Sequence, residues 1–184
     1  ALYEIGSVFL SDEEKLTKQP KEHLRLAGAI TGTWVNHKWQ EDVQPVDFYV
    51  VKGILEGLFR YLNLSESYVA AQLDNMHPGR TATIEVNGET VGFFGQIHPK
   101  LAKEKDVKDT YVFDLNLEKL LRIDRGELVY ETVPKYPSIL RDIAFVVKED
   151  VQAGDIQSEI KALGAPLVKA VEAFDVYRGE SIKE

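Results

Sequence analysis

Two β-rich runs, Thr81-Ala-Thr-Ile-Glu-Val86 and Thr90-Val-Gly-Phe-Phe-Gly-Gln-Ile97, flank the dipeptide Asn87-Gly88. A two-residue type I′ turn needs positive φ at both central positions, and Asn-Gly tolerates this best, so the string predicts an antiparallel hairpin. A lone hairpin is marginal in water and needs more strands, or a helix, over its apolar face. The flanking sequence offers both. Residues Leu2 to Leu10 are apolar and β-rich and predict a strand that ends at Ser11-Asp-Glu-Glu14. Between Glu22 and Thr31, Leu24, Leu26, Gly28 and Ile30 fall on one face at period two; between Thr110 and Asn116, Tyr111, Phe113 and Leu115 do the same. Tyr68 to Leu73 is a further candidate strand. Asp47 is placed to cap a helix in which Phe48, Val51, Leu55, Leu58 and Leu62 recur at helical spacing. Gly53 and Gly57 weaken that helix, so close packing against a neighbour is expected there. Pro99 suits the first turn of a short helix through Asp106.

Arg122 to Thr132 is charged and aperiodic, which places a domain boundary near Gly126. After Pro134 the pattern restarts: a strand over Ile143 to Val147, a helix from Asp155 to Leu163 stopping at Gly164, a strand over Val168 to Tyr177, and a turn at Arg178-Gly179. A β-α-β unit alone cannot bury a two-layer core, so this second domain reads as cut off partway. The fold class is α+β.

Composition excludes several functions. No apolar run is long enough to span a bilayer, and no signal-peptide pattern opens the chain. That fits a cytoplasmic protein without a membrane partner. Zero Cys removes disulfides, thiolate metal sites and cysteine nucleophiles together. The net charge of −8 argues against general nucleic-acid binding, which needs clustered Lys and Arg. Lys100, Lys103 and Lys105 are interrupted by Glu104 and Asp106 and read as a solvated helix face. His23, His37, His77 and His98 lack metal-ligand spacing. No nucleophile elbow, Gly-x-Gly-x-x-Gly or Walker loop occurs, so no catalytic residue and no metal ligand is assigned. His77-Pro-Gly-Arg80 is the most motif-like short string. It can present charge at an interface; on physical grounds alone, a loop entering a strand with Arg80 in a local ion pair is favoured. Trp34 and Trp39 surround Asn36-His-Lys38 in an expected loop, where large aromatics either contact a partner or fold back on their own domain.

Several strings, taken in order, resemble the C-terminal half of the bacterial phenylalanyl-tRNA synthetase β subunit. They are His77-Pro-Gly-Arg-Thr-Ala82, Val91-Gly-Phe-Phe-Gly-Gln-Ile-His-Pro99, Tyr111-Val-Phe-Asp-Leu115, Tyr136-Pro-Ser-Ile-Leu-Arg-Asp-Ile143 and Phe174-Asp-Val-Tyr177. The resemblance covers essentially the whole chain. It implies that residues 1–125 are a non-catalytic copy of the class II synthetase module, an antiparallel sheet with helices, truncated at its start. Residues 126–133 are then a linker, and 134–184 the first part, β-α-β, of a ferredoxin-like anticodon-binding domain.

The resemblance further implies an α2β2 heterotetramer and hence three partners: the α subunit, a second β subunit and tRNA(Phe). In that family the α subunit holds the active site, and the complete ligase uses ATP and Mg²⁺ in protein synthesis; the fragment itself carries no cofactor and is expected to be inactive alone. The family's editing site and the Mg²⁺ ligands of the β subunit lie outside this chain. Asp175 and Tyr177 match the strand that carries anticodon contacts; a carboxylate can accept from a guanine edge, and a Tyr ring can stack on an unpaired base. Trp34, Trp39, His77 and Arg80 are the candidates for subunit contacts. Residues 134–184 hold seven Lys plus Arg against nine Asp plus Glu, net −2, which suits base readout better than phosphate affinity. Two other readings compete. An active ATP-dependent ligase lacks its class II Arg-x-Glu and Gly-rich Glu-Arg strings here. A small-molecule regulatory domain predicts heat on titration with phenylalanine, where the preferred reading predicts none.

Overall fold

The computed structural model of the chain describes residues 1–13, 15, 17–37, 39, 42–126, 130 and 132–178, and the chain divides into two units, Ala1–Val129 and Tyr130–Glu184. In the first unit the elements run β1 (Leu2–Leu10), β2 (Lys21–Thr31), β3 (Thr33–His37), β4 (Asp42–Pro45), α1 (Phe48–Tyr61), β5 (Glu66–Ala70), β6 (Met76–Val86), β7 (Glu89–Ile97), α2 (Pro99–Glu104), β8 (Thr110–Asn116) and α3 (Leu117–Arg122). The Asn-Gly hairpin forms as expected: Asn87 and Gly88 both hold positive φ, and β6 pairs antiparallel with β7. Around it stands a six-stranded antiparallel sheet in the order β1-β2-β8-β7-β6-β5.

Register explains the core. Leu26, Gly28 and Ile30 lie opposite Leu115, Phe113 and Tyr111, and these in turn lie opposite Gly92, Phe94 and Gln96. The period-two faces read from the sequence therefore merge into one apolar surface across three strands. Helix α1 covers it with Val51, Leu55 and Phe59, all fully buried. Phe94 stacks on Phe48 at 4.6 Å and meets the Tyr68 ring edge-on at 5.5 Å. The cap is as expected: Asp47 Oδ1 accepts from the Val50 N–H at 2.7 Å. Strand β7 sits so close to its neighbours that a Cβ on Gly92 would lie 2.2 Å from Asp114 O, and one on Gly95 2.4 Å from Arg80 O.

Three expectations need correction, and one element is new. The segment around Trp34 is not a loop: β3 and β4 pair as a separate two-stranded ribbon, with a register irregularity between Thr33 and Val35. Its side chains lack clean alternation, which hid it. Helix α3 was not foreseen, being a single short turn set that begins where β8 ends; Asn116 closes the strand and caps the helix through Lys119 N–H at 3.0 Å. His77-Pro-Gly-Arg80 is a bulged stretch inside β6 rather than a loop before it. Finally, Gly53 and Gly57 face outward, and a Cβ on either would meet nothing within 4 Å, so no neighbour in the described chain explains them.

In the second unit α4 spans Ala153–Gly164, close to the expected helix. The expected strands over Ile143–Val147 and Val168–Tyr177 are not assigned among the described residues. A strand is assigned only where two segments share a ladder of backbone hydrogen bonds, which β composition alone does not supply. A strand without a ladder partner leaves its apolar side chains uncovered, and Ile143, Phe145, Val147, Phe174 and Val176 are all exposed. Between α4 and the segment that follows, Gln157 Nε2 donates a long bond to Val171 O, 3.4 Å. The turn expected at Arg178-Gly179 falls partly outside the described residues.

Candidate functional site

Three groups of candidate residues occupy different places. The first sits on the β3–β4 ribbon. Trp34 lies on β3, half exposed (49%), and with Asp47, Tyr49 and Gly53 lines an open cleft of about 400 Å³ beside α1. Trp39 lies between β3 and β4 and is 99% exposed. One tryptophan thus leans partly on its own domain and the other stands in solvent. The fold-back alternative thus applies in part to Trp34, and Trp39 does not fold back.

The second group is the bulge in β6. Met76 pairs with Ile97 and Thr81 with Gly95, so His77, Pro78, Gly79 and Arg80 together oppose Gln96 alone and must bow out of the sheet. Two bonds hold the bow: Gly79 N–H donates to His77 Nδ1 at 3.1 Å, and the Thr81 hydroxyl donates to His77 O at 2.7 Å. Among the described residues Arg80 does not form the expected local ion pair. Its Nη1 donates instead to Gln96 Oε1 at 2.8 Å, and Gln96 Nε2 donates to Asp109 Oδ1 at 3.0 Å. Gln96 is 97% buried, being only 3% exposed. Gln96 and Asp109 are not among the candidate residues that sequence motifs single out. The available signal was a Gln on the core-facing phase of an otherwise apolar strand, because a buried amide must find partners.

The third group is in the second unit. Asp175 and Tyr177 are both exposed. The neighbouring Arg178 places Nε 3.4 Å from Glu149 Oε1, which links the two segments that flank α4. Because Phe174 and Val176 are exposed too, burial does not separate two faces of this segment. Asp175 and Tyr177 stand two residues apart in the second unit, and Trp34, Trp39, His77 and Arg80 belong to the first.

Elsewhere several ionisable groups pair within the first unit. Arg25 Nε pairs with Asp114 Oδ1 at 2.8 Å, and His23 Nδ1 lies 3.5 Å from Glu118. Burial, with the Glu66 and Glu56 carboxylates beside it, pushes the Tyr68 phenol far above its ordinary range; Lys52 stands 4.7 Å over its ring. Among the described residues no group of three or more His, Asp or Glu is arranged to hold a metal ion, and no helix is long and apolar enough to cross a membrane.

Two family models match, and they divide the chain between them. The phenylalanyl tRNA synthetase beta chain CLM domain matches residues 1–117, and the ferredoxin-fold anticodon binding domain matches residues 134–184. These define a tRNA-synthetase-associated α+β protein built on an antiparallel sheet. The chain belongs to the phenylalanyl-tRNA synthetase β chain family. It is 50% identical over 99% of its length to the phenylalanine–tRNA ligase β subunit of Oceanobacillus iheyensis, 53% over 99% to that of Halalkalibacterium halodurans, and 51% over its whole length to that of Bacillus subtilis. It spans 22–23% of the length of these relatives. The crystal structure of pyrrolysyl-tRNA synthetase from Desulfitobacterium hafniense overlays on 65% of the chain and 39% of its own length, at 15% identity and TM-score 0.44, too loosely to bear on the fold.

Proposed function

We propose that this chain is a non-catalytic portion of a phenylalanine–tRNA ligase β subunit, contributing subunit assembly through its first unit and tRNA(Phe) anticodon recognition through its second. The observation that carries this reading is the consecutive match of two modules, in the order of that subunit, at about half identity over the full chain. On this reading residues 1–125 are a degenerate class II catalytic-like module, 126–133 a linker and 134–184 the start of the ferredoxin-like domain. The six-stranded antiparallel sheet supports the first assignment, and the position and length of α4 support the last. ATP and Mg²⁺ serve the complete cytoplasmic enzyme, and activation of phenylalanine takes place on the α subunit.

Assembly is assigned to the ribbon and the bulge. Trp39 and Trp34 offer large, rigid apolar area of the kind that anchors interfaces. His77 and Arg80 stand out from the sheet beside them in function, if not in place, as polar contacts. Asp175 and Tyr177 supply base recognition: the carboxylate accepts from a base edge and the ring stacks. With a net charge of −2 over residues 134–184, the phosphate affinity comes from other parts of the enzyme.

The test pairs two measurements. Phenylalanine-dependent ATP–pyrophosphate exchange is measured on the pure chain and on the reconstituted ligase, and assembly of the full-length β subunit with the α subunit is followed by sedimentation. Exchange by the ligase and none by the chain is expected. Exchange above background by the pure chain would contradict the non-catalytic reading.

A further inference from the structure

We propose that Arg80 is a preorganised clamp for a carboxylate on a partner protein subunit, with Gln96 and Asp109 as its positioning residues. The inference rests on the assembly reading above and gives it a chemistry. Its first ground is rigidity. The four-against-one bulge pushes Arg80 outward, and Gly79 N–H, His77 Nδ1, the Thr81 hydroxyl and His77 O fix its path. Gly95 beneath it has no side chain, which is what lets the Arg80 carbonyl lie where a Cβ would be 2.4 Å away.

The second ground is the relay behind the guanidinium. Gln96 Nε2 faces the Asp109 carboxylate, an acceptor only, so the amide has one sensible orientation and its oxygen must point at Arg80. Asp109 is itself anchored, its main-chain oxygen accepting from the Thr31 hydroxyl at 2.8 Å. Three strand ends, of β2, β7 and β8, are thereby committed to the placement of one exposed side chain.

The third ground is what stays open. A guanidinium has five N–H donors, and Gln96 takes one. Among the described residues no carboxylate pairs with Arg80. The remaining fork is planar and matches a carboxylate or phosphate through two parallel bonds. A carboxylate is the better match here. Successive RNA phosphates require several clustered cations, and this chain carries −8 overall with Asp109 directly behind the relay. A single carboxylate in a closing protein interface needs one fork, already held in place.

The experiment uses the full-length β subunit and its α partner, with dissociation followed by sedimentation or calorimetry. Arg80→Ala should weaken association about 10- to 100-fold, the range for a charge-assisted bond lost on desolvation. Arg80→Lys should recover only part of this, because it keeps the charge and loses the fork. Gln96→Met never meets the partner, yet should weaken association about 5-fold; combined with Arg80→Ala it should add nothing further, a coupling that general destabilisation would not produce. Unchanged urea midpoints for Arg80→Ala and Arg80→Lys establish that folding is intact. Association of Arg80→Ala within about twofold of wild type, or of Arg80→Lys equal to wild type, overturns the clamp. So does an Arg80→Ala protein that assembles normally while its Michaelis constant for tRNA rises, which would make the ligand a phosphate. If wild-type β fails to associate at all, the assembly reading falls and the clamp with it; variant results against an assembling wild type bear on the clamp alone.

Discussion

Two glycine-to-alanine substitutions should have opposite signs in this chain, and the structure says why. At Gly95 a new Cβ would lie 2.4 Å from Arg80 O, 2.8 Å from Thr81 Cα and 2.9 Å from Thr81 Oγ1. Two of these three atoms belong to backbone in the middle of the paired sheet, so no side-chain rotation relieves the contact. Strand β6 has to move by about 1 Å to restore ordinary packing, and overpacking of this kind costs about 1–3 kcal/mol. At Gly53 the same Cβ meets nothing within 4 Å, on an exposed helical position. Alanine there removes unfolded-state freedom and should stabilise by about 0.4–1 kcal/mol. With a urea slope of about 1–3 kcal/mol per molar, Gly95→Ala should lower the unfolding midpoint by about 1 M and Gly53→Ala raise it by a few tenths. Trp34, leaning on α1, gives a fluorescence probe inside the first unit. A Gly95→Ala midpoint equal to wild type, or a Gly53→Ala midpoint that falls, would refute the close approach and the open helix face respectively.

Other perturbations test neighbouring parts. Phe94→Ala removes a ring packed between Phe48 and Tyr68 and should destabilise by about 3–5 kcal/mol, read from the same urea curves. Asp47→Ala removes the cap to Val50 and should cost about 1 kcal/mol, with Asp47→Asn close to neutral. Trp39→Ala, at a fully exposed site, should leave stability within about 0.5 kcal/mol while weakening assembly of the β subunit by about 2 kcal/mol; sedimentation of the variant with the α subunit measures this.

The sheet was legible where side chains announce their phase. Asn87-Gly88 predicted the hairpin, and the alternation in Leu24 to Ile30 and Tyr111 to Leu115 predicted which faces would meet. Helix α1 was equally plain, since Asp47 and a period-3.6 apolar stripe mark its start and its buried side. The ribbon of β3 and β4 was not legible, because two short strands that pair only with each other need no buried alternating face. The second unit failed for another reason. Its segments 143–147 and 168–177 carry β composition, but a ladder is a property of two paired segments, and neither has a ladder partner among the described residues. At the candidate sites the residue types were readable and their partners were not. Arg80 stood out in its motif, while the amide that aims it lies sixteen residues away on the adjacent strand.

The central claim, that this chain reads the anticodon without taking part in activation, is tested most directly by charging kinetics of the complete ligase. Asp175→Ala and Tyr177→Ala are assayed with wild-type tRNA(Phe) and with an anticodon-mutated form. Loss of a base contact or a base stack is worth about 1–3 kcal/mol, so each variant should raise the Michaelis constant for the wild-type tRNA about tenfold and narrow its advantage over the mutated one. Phenylalanine-dependent pyrophosphate exchange should stay at the wild-type rate, since that step uses no anticodon. Discrimination between the two tRNAs unchanged in both variants would contradict the assignment.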